Sequence, residues 1–463
     1  MPLFSRSRQP GASTLLAFSL GLFAACLVGI FSRPDNMLAV VWITNALLLA
    51  WLLRSRRLSG VLGWSCAALA YTAADLVTGS SLELSLHMTV ANLLGVAAGY
   101  LLLRNSRHFN RLLSGPSSIL LLLIASFLAA LVSALVAMPA TSFLLGLDHG
   151  QSVAYWVSAE LLCYMALVPA ILLSTSNQPI QPPASLGRLR WLPLLALAAS
   201  ALLGLLLGGP GALLFTIPAL LWCALSYPQR LTALCTLVIC VGTLLCIASG
   251  LLQLGIDDLD LHQVVSVRTG MAVMAVAPLM VSAMSTTRER MLKALHHAAA
   301  HDALTGVMSR AGFFAQIACL LRDRNRHIGT LMIDIDLFKQ INDRHGHAAG
   351  DRVLVEIAQR LRTGLPAHAL IGRLGGEEFA VLLPDADLAH SQQVAEQLRQ
   401  RIAQEPFVLV AGLPPLAVTL SIGVAVLGKH DERHIDTVLH RADKALYRAK
   451  SNGRNQVMVA PTA

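Results

Sequence analysis

Residues 370–383 read LIGRLGGEEFAVLL, two apolar segments separated by Gly375, Gly376 and two glutamates. Apolar runs bounded by glycine predict strands, here at 370–373 and 378–383. Two adjacent glycines suit a tight hairpin turn with positive φ, and they allow a phosphate to approach the main chain closely. The stretch therefore predicts a β-hairpin that presents two carboxylates at its turn.

The segments around this hairpin alternate between strand and helix patterns. Strands are predicted at 327–335 and 416–426, and helices at 312–324, 350–361, 390–403 and 435–451. Alternation of this kind predicts an α/β sheet covered by helices. About 160 residues are enough for one hydrophobic core.

Charged residues are distributed unevenly along the chain. Residues 301–463 contain 36 Asp, Glu, Lys or Arg among 163 positions, whereas residues 1–300 contain only 25. The first part is therefore typical of a membrane protein and the second of an ordinary soluble domain, which excludes secreted, fibrous and disordered classes. The net charge is +9, but the C-terminal part carries only +2 of it, so charge gives no reason to expect a nucleic-acid partner.

The first part predicts an all-α polytopic membrane bundle of about ten helices. Each apolar run has about 17–23 residues, which is enough to cross the hydrocarbon core of a bilayer. The predicted spans are 13–31, 37–53, 59–78, 84–103, 117–139, 152–173, 191–208, 211–227, 231–252 and 264–285. The predicted domains are a multi-span membrane domain at 1–285, a helical connector at 286–300 and a soluble domain at 301–463.

Basic residues in the loops predict the orientation of these spans. One side has eleven: Arg6, Arg8, Arg54, Arg56, Arg57, Arg104, Arg107, Arg111, Arg188, Arg190 and Arg230. The other side has Arg33 and Arg268, together with most of the acidic residues: Asp35, Glu83, Asp148, Asp257, Asp258 and Asp260. We therefore expect both termini and the soluble domain to lie in the cytoplasm, and the spans to lie in membrane lipid.

Five polar residues fall inside or near the predicted spans: Asn45, Asp75, His87, Asn92 and Glu160. Ionisable groups are costly in a bilayer, so they face the bundle interior or water. Two interpretations are open. The residues either line a pocket for a ligand or proton, or they form hydrogen bonds between helices or lie near the interface.

The connector, TTRERMLKALHHAAA at 286–300, lacks glycine and proline and is rich in helix formers. Met291, Leu292 and Leu295 recur at helical spacing. The interpretations are a helix that pairs across a dimer and transmits movement, or a passive tether.

Three polar segments of the soluble domain can carry chemistry. Asp334 ends an apolar strand and is well placed to hold a hard cation, although it fits a solvated strand end equally well. Asn342 and Asp351 can pair with the edge of a base, or they belong to a helix-capping loop. Lys450 and Arg454 follow the last helix, where they either meet phosphates or reflect the usual charge bias of helix ends. No P-loop sequence is present.

Taken together, these segments closely resemble the GGDEF family of diguanylate cyclases. The resemblance extends over residues 301–463. It includes Asp302 to Gly306, Asp334 to Asp351, Gly375 to Phe379, Ser421 to Gly423 and Ala442 to Tyr447. It implies a nucleotide-cyclase-like α/β fold that condenses two GTP into cyclic di-GMP, with Mg²⁺, or Mn²⁺ in its place, as cofactor. It also implies a homodimer formed through this domain, because each half-site holds one GTP.

The resemblance also implies roles for individual residues. Asp334, the Ile335 carbonyl and Glu377 correspond to metal ligands. Glu377 or Glu378 is the candidate base, and the sequence does not choose between them. The implied guanine contacts are Asn342 and Asp351, and His347 is a further substrate contact. The implied triphosphate contacts are Lys450 and Arg454. Lys339 and Arg373 are implied as supporting charges at the phosphates.

The N-terminal part resembles the first type of membrane-associated sensor domain, on the stretches AVVWITNALLLAWLL near 38–53 and TVANLL at 89–94. This resemblance implies an input role with an unknown ligand and a place in the bacterial inner membrane. Two other functions remain open. One is a non-catalytic receptor for a nucleotide or cyclic di-GMP on the same fold, and the other is a transporter with a regulatory tail.

Overall fold

The computed structural model describes residues 10–32, 42–104, 113, 115–174, 189–254, 261–320, 327–408, 415–427 and 435–461. The chain divides into two compact units, Met1–Arg290 and Met291–Ala463. The first unit contains helices only among its described residues, and the second contains a mixed sheet with helices.

The helical unit has ten α-helices within its described residues. They are α1 (Ala12–Phe31), α2 (Thr44–Arg54), α3 (Val61–Val77), α4 (Leu82–Arg104), α5 (Pro116–Leu145), α6 (His149–Leu173), α7 (Leu192–Leu207), α8 (Thr216–Ser226), α9 (Gln229–Ala248) and α10 (Leu261–Ala300). A short 3₁₀ helix, Pro210–Leu214, precedes α8.

Every predicted span overlaps one of these helices, but their lengths differ. Six are long and apolar enough to cross a membrane: α1, α4, α5, α6, α9 and α10. Helix α2 has only 11 residues, which at 1.5 Å per residue is too short to cross by itself. The predicted span 211–227 is divided between the 3₁₀ helix and α8, so it is not one continuous helix.

Small residues bring the helices of this unit close together. A Cβ added at Gly95 of α4 would lie 2.6 Å from the Ala129 carbonyl and from the Ser133 side chain of α5. Alanines of α5, including Ala125 and Ala129, are fully buried. Close approach of helix backbones through small residues is typical of helix packing in membranes.

The second unit contains the predicted α/β elements. They are β1 (Met308–Ser309), α11 (Arg310–Leu320), β2 (Ile328–Ile335), α12 (Phe338–His345), α13 (His347–Gly364), β3 (Leu370–Gly375), β4 (Glu378–Pro384), α14 (Leu388–Gln404), β5 (Leu420–Leu427), α15 (Ile435–Ser451) and β6 (Val457–Val459). The α/β prediction is confirmed.

The sheet has the order β1-β3-β4-β2-β5-β6, with β2 inside it. Strand β2 runs antiparallel to β4 and β5, and β3 and β4 form the predicted antiparallel hairpin. The edge strands β1 and β6 are parallel to their neighbours.

Helices cover both faces of this sheet, because the side chains of β2 alternate between two cores. Leu331, Ile333 and Ile335 pack in one cluster with residues of α13 and α14. Ile328 and Met332 pack in another with residues of α11 and α15. All eight residues of β2 are buried, which explains the continuous apolar run that ends at Asp334.

Several sequence predictions differ from the structure or lie outside the described residues. Helix α12 and the short strands β1 and β6 were not predicted, and α13 begins three residues before the predicted helix. The following residues used for orientation lie outside the described part: Arg6, Arg8, Arg33, Asp35, Arg107, Arg111, Arg188, Asp257, Asp258 and Asp260. So do residues 37–41 of the second span and residues 321–324 of the first predicted helix of the soluble domain.

Candidate active site

The end of β2 and the turn between β3 and β4 lie side by side. In the antiparallel register of β2 with β4, Asp334 faces Glu378. Gly376 has a φ of +42°, so the turn uses the left-handed region that its glycine was expected to supply. Glu377, within the turn, is half-buried, and Glu378 is exposed. The sheet register thus places three carboxylates together where β2 ends and β4 begins.

Asp334 is the buried carboxylate of this group, with 4% of its surface exposed. Burial raises its pKa to about 6, and the negative charges of Glu377 and Glu378 add to this effect. The Lys450 ammonium opposes it, since Lys450 Nζ lies 2.6 Å from Asp334 Oδ2. Lys450 is thus a close cation for Asp334, and the two glutamates add negative charge that favours a further cation at the site.

The donor set at this edge fits a magnesium ion. Asp334 and Glu377 offer carboxylate oxygens and Ile335 offers a main-chain carbonyl, and Mg²⁺ prefers oxygen ligands of this kind. Within the described residues there is no group of three or more His, Cys, Asp or Glu side chains at metal-binding spacing. A magnesium site whose remaining ligands are a main-chain carbonyl and substrate phosphates does not need three such side chains.

Asn342 lies on α12 and faces the first turn of α13. A Cβ added at Gly350 would overlap Asn342 Oδ1 and come within 3.2 Å of the Phe338 ring. Gly350 therefore lets α12 and α13 approach at this point, because any side chain there would occupy the space of the Asn342 amide. Asp351 is the next residue of α13, so the two predicted guanine contacts belong to adjoining helices.

The loop after α15 is held by a residue that the sequence analysis did not single out. Asp336 is buried and accepts hydrogen bonds from Thr419 Oγ1 and Ser421 Oγ, each at 2.7 Å. It also accepts one from the main-chain N–H of Asn455 at 3.0 Å. Arg454 and Asn455 both have positive φ, at +66° and +44°. Asp336 thus fixes a strained loop that carries Arg454.

Arg373 has two partners inside the protein. Its Nη1 lies 3.0 Å from Asp302 Oδ1, and its Nε donates to the Gly376 carbonyl at 2.8 Å. Asp302 Oδ1 also accepts from the main-chain N–H and the hydroxyl of Thr305, at 2.9 and 2.6 Å. The guanidinium therefore connects the start of the domain to the Gly-Gly turn. Asp302 lies in the segment quoted for the family resemblance, but that segment did not indicate its pairing with Arg373.

The remaining predicted site residues are solvent-accessible. Lys339 lies exposed on α12, and His347 and Asp351 lie exposed on the first turns of α13. Arg454 is also exposed. Lys450 is in direct contact with Asp334, whereas these four lie exposed on α12, on α13 and in the loop after α15.

Comparison with known proteins identifies the family and the activity. The family described as "Diguanylate cyclase, GGDEF domain" matches residues 299–456. The probable diguanylate cyclase DgcF of Escherichia coli O157:H7 is 28% identical over 454 residues, which is 96% of this chain and 94% of that protein. Its counterpart from Escherichia coli K12 is 31% identical over 310 residues, covering 65% of this chain and 96% of that protein.

Among solved structures, the coiled coil and GGDEF domain of DgcB from Caulobacter crescentus, in complex with c-di-GMP, is 28% identical. It covers 37% of this chain and 92% of that one, with a TM-score of 0.35. The expected enzyme class is confirmed by the family match and by the two DgcF relatives. The chain belongs to the GGDEF family of diguanylate cyclases.

Proposed function

We propose that this diguanylate cyclase works at a bacterial inner membrane, where its helical unit regulates the condensation of two GTP into cyclic di-GMP and two pyrophosphates. The observation that carries the chemical part is the buried Asp334 carboxylate, at the end of β2 and in register with the Gly-Gly-Glu-Glu turn. Six long apolar helices support the membrane location.

In this proposal Asn342 and Asp351 bind the guanine edge, since amide and carboxylate groups complement its donors and acceptors. His347 adds a contact to the substrate. Lys450 and Arg454 bind the triphosphate, and Lys339 adds positive charge near it. The ion pair between Lys450 and Asp334 keeps the ammonium at the carboxylate edge before the nucleotide arrives.

The reaction joins two bound nucleotides. The 3′-hydroxyl oxygen of one GTP bonds to the α-phosphorus of the other, and the bond from that phosphorus to the bridging oxygen of the β-phosphate breaks. Pyrophosphate leaves with that oxygen, and Glu377 or Glu378 accepts the hydroxyl proton. The same step on the second α-phosphorus closes the ring.

Asp334, the Ile335 carbonyl and Glu377 would hold Mg²⁺, or Mn²⁺ in its place. When bound, such an ion neutralises phosphate charge and makes the hydroxyl more acidic. Arg373 acts by holding the turn that carries Glu377, through its bonds to Asp302 and to the Gly376 carbonyl. Its role is therefore one of positioning.

Each domain holds one nucleotide, so two copies must face each other with two-fold symmetry for the hydroxyl to reach the phosphorus. The exposed apolar side chains of Met291, Leu292 and Leu295 on α10 support pairing of two chains through this segment. A non-catalytic receptor would tolerate the loss of Glu377 or Asp334, and both carboxylates are present, so we favour catalysis.

The test of the chemistry is a carboxylate substitution at the turn. Purified full-length protein with GTP and Mg²⁺ should form cyclic di-GMP, detected by mass spectrometry. Glu377→Gln should abolish turnover, because losing a ligand carboxylate removes charge stabilisation of several kcal/mol. Glu405→Gln, an exposed carboxylate at the end of α14, serves as the control and should keep wild-type turnover. Normal turnover by Glu377→Gln would refute the assignment.

The test of the location uses reporter fusions. The bias of eleven basic residues against two places the loops near Asp148 and Asp258 in the periplasm and the segment after Arg290 in the cytoplasm. Alkaline phosphatase fused at the first two positions should therefore be active, and a fusion after Arg290 should not. The reverse pattern of activity would contradict the topology.

A further inference from the structure

The loop between α15 and β6, residues 452–456, carries Arg454 on an unusual main chain. Arg454 and Asn455 both have left-handed φ values, +66° and +44°. Residues other than glycine keep such a conformation only where the surrounding structure holds them, and asparagine tolerates it better than most. The position of Arg454 therefore depends on the contacts that hold residue 455.

Arg399 of α14 holds Asn455 through two acceptors. Its Nη1 donates to Asn455 Oδ1 at 2.6 Å and to the Asn455 carbonyl oxygen at 3.3 Å. The main-chain N–H of Asn455 donates to Asp336 Oδ2 at 3.0 Å. Residue 455 is thus bonded through its N–H, its carbonyl and its side chain, by two residues that come from different parts of the domain.

Glu396, one turn earlier on α14, fixes the Arg399 guanidinium. Arg399 Nε donates to Glu396 Oε2 at 3.0 Å, and Nη2 donates to Glu396 Oε1 at 2.6 Å. These bonds are the main cause of the lowered pKa of Glu396, so the pair stays ionised at neutral pH. Because a guanidinium is planar, a carboxylate that engages two of its nitrogens also sets the direction of the third. Nη1 of Arg399 is therefore directed at Asn455.

The end of β2 relates this loop to the carboxylates of the site. Asp334 pairs with Lys450 at 2.6 Å, and Asp336, two residues further, bonds to Asn455. The same strand end thus places both cations that we assign to the triphosphate, Lys450 by an ion pair and Arg454 through the main chain of its neighbour. Helix α14 is connected to this arrangement through the Asn455 side chain.

We propose that Arg399 is a positioning residue for nucleotide binding, which fixes Asn455 and thereby holds the Arg454 guanidinium where it meets the triphosphate. This role depends on the triphosphate contact of Arg454 given under Proposed function. Arg399 acts through the loop and not on the nucleotide, because its three nitrogens are engaged inside the protein. Its loss should therefore weaken binding of the phosphates but not of guanine, whose proposed contacts lie on α12 and α13.

Binding of two nucleotides to the purified full-length protein, with Mg²⁺, separates phosphate recognition from guanine recognition. The first is the α,β-methylene analogue of GTP, in which a CH₂ group replaces the oxygen that would leave, so that no product forms. The second is GMP, which lacks the two outer phosphates. By isothermal titration calorimetry, Arg399→Met should bind the methylene analogue about tenfold more weakly, as expected for one lost charged hydrogen bond. Its affinity for GMP should stay that of the wild type.

Arg360→Met is the matched control. Arg360 also pairs with a glutamate of its own helix, Glu356 of α13, and its side chain is 13% exposed against 18% for Arg399. It bonds to the Glu405 carbonyl rather than to the loop of Arg454. Arg360→Met should therefore bind both nucleotides as the wild type does.

Asn455→Gly tests the same contact from the side of the loop. Glycine adopts the left-handed conformation without strain and keeps the N–H that Asp336 accepts, but it lacks the oxygen that Arg399 reaches at 2.6 Å. It should therefore reproduce the loss for the methylene analogue in a folded domain. This variant decides the outcome if Arg399→Met does not fold.

Arg454→Met completes a double-mutant cycle with Arg399→Met. Because Arg399 acts only through Arg454, the double variant should bind the methylene analogue no more weakly than Arg454→Met alone. Losses that multiply, or an equal loss for GMP, would overturn the positioning role. So would normal binding by Arg399→Met or Asn455→Gly where Arg454→Met binds weakly. If Arg454→Met itself binds the analogue as the wild type does, the triphosphate contact of Arg454 fails together with the positioning role.

Discussion

Asp302 shows how one residue couples chain segments that are distant in sequence. Burial opposes ionisation of its carboxyl group, but hydrogen bonds from Thr305 and the Arg373 guanidinium outweigh it and hold its pKa below the ordinary value. The folded state therefore binds a proton at Asp302 less readily than the unfolded chain. This contribution to stability is fully present above about pH 4 and is lost as pH falls through the lower folded-state pKa.

We expect Asp302→Asn to lower the stability of the cyclase domain by about 1 kcal/mol at pH 7, the usual size of such a paired interaction. The gap to wild type should narrow as pH falls below about 4 and close once the pH is below the lowered pKa of the folded wild-type carboxyl group. Hydrogen exchange of the β3 and β4 amides in the full-length protein measures the loss of stability at pH 7 and its change with pH. A gap that widens on acidification would contradict the assigned sign.

The same substitution should also lower kcat, because the Arg373 guanidinium would then hold the Gly-Gly turn less firmly. Glu356→Gln is the matched control, since Glu356 pairs with Arg360 on α13 and not with the turn. It should leave kcat unchanged.

At the scale of elements, the packing of α15 against β5 determines where Lys450 lies. A Cβ added at Gly423 of β5 would overlap the Ala442 carbonyl and the Leu446 main-chain nitrogen of α15. Because both are backbone atoms, the helix itself must move to make room. The absence of a side chain at this position thus sets the distance between helix and sheet.

We expect Gly423→Ala to destabilise the cyclase domain by roughly 1–3 kcal/mol, as overpacking usually does, and to reduce turnover by moving Lys450 away from Asp334. Thermal unfolding and product formation of the full-length protein measure the two effects. Gly375→Ala is the stability control, since an added Cβ there meets no atom within 4 Å. An unchanged unfolding temperature for Gly423→Ala would refute this account of the packing.

The elements that sequence predicted well are those with strong apolar patterns. Strand β2 is buried on both faces and therefore reads as one continuous apolar run. Helix α12 was missed because its eight residues, FKQINDRH, bury only Phe338 and Ile341. Strands β1 and β6, with two and three residues, are too short to show a period.

The candidate site was named from the sequence as a set of residues, whereas the contacts among them could not be predicted. Asp334 and the glutamates of the turn were named from their positions at strand ends, which the register bears out. The Arg373 partner lies 71 positions away at Asp302, and no local pattern indicates such a pair. The contact between Asp336 and Asn455 could not be predicted either. Its donor is the main-chain N–H of Asn455, and every residue except proline has such a group.

At the scale of the whole molecule, α10 extends from Leu261 to Ala300 and so includes the entire predicted connector. A helix transmits rotation along its axis, whereas a flexible linker does not. We expect an insertion of two residues after Leu295, roughly half a turn, to change activity more than an insertion of four, about one full turn.

The measurement is cyclic di-GMP formed per folded protein in membranes. Both insertions should leave GTP binding intact, because each half-site lies within one domain, and GTP binding therefore serves as the internal control. Equal activity of both insertions and wild type would mean that the connector is a passive tether.

The order of the strands in the sheet also has a consequence for synthesis on the ribosome. Asp334 gains its neighbours from β4, β5 and, last, from Lys450 on α15, so its charge cluster is incomplete until almost the whole domain has emerged. Domains emerge and fold from the N-terminus onward, and the helical unit comes first. A ribosome-bound chain therefore holds no assembled cyclase site while its helices are entering the membrane as proposed. Cyclic di-GMP can then be made only after the helical unit, which we propose to be regulatory, has been synthesised.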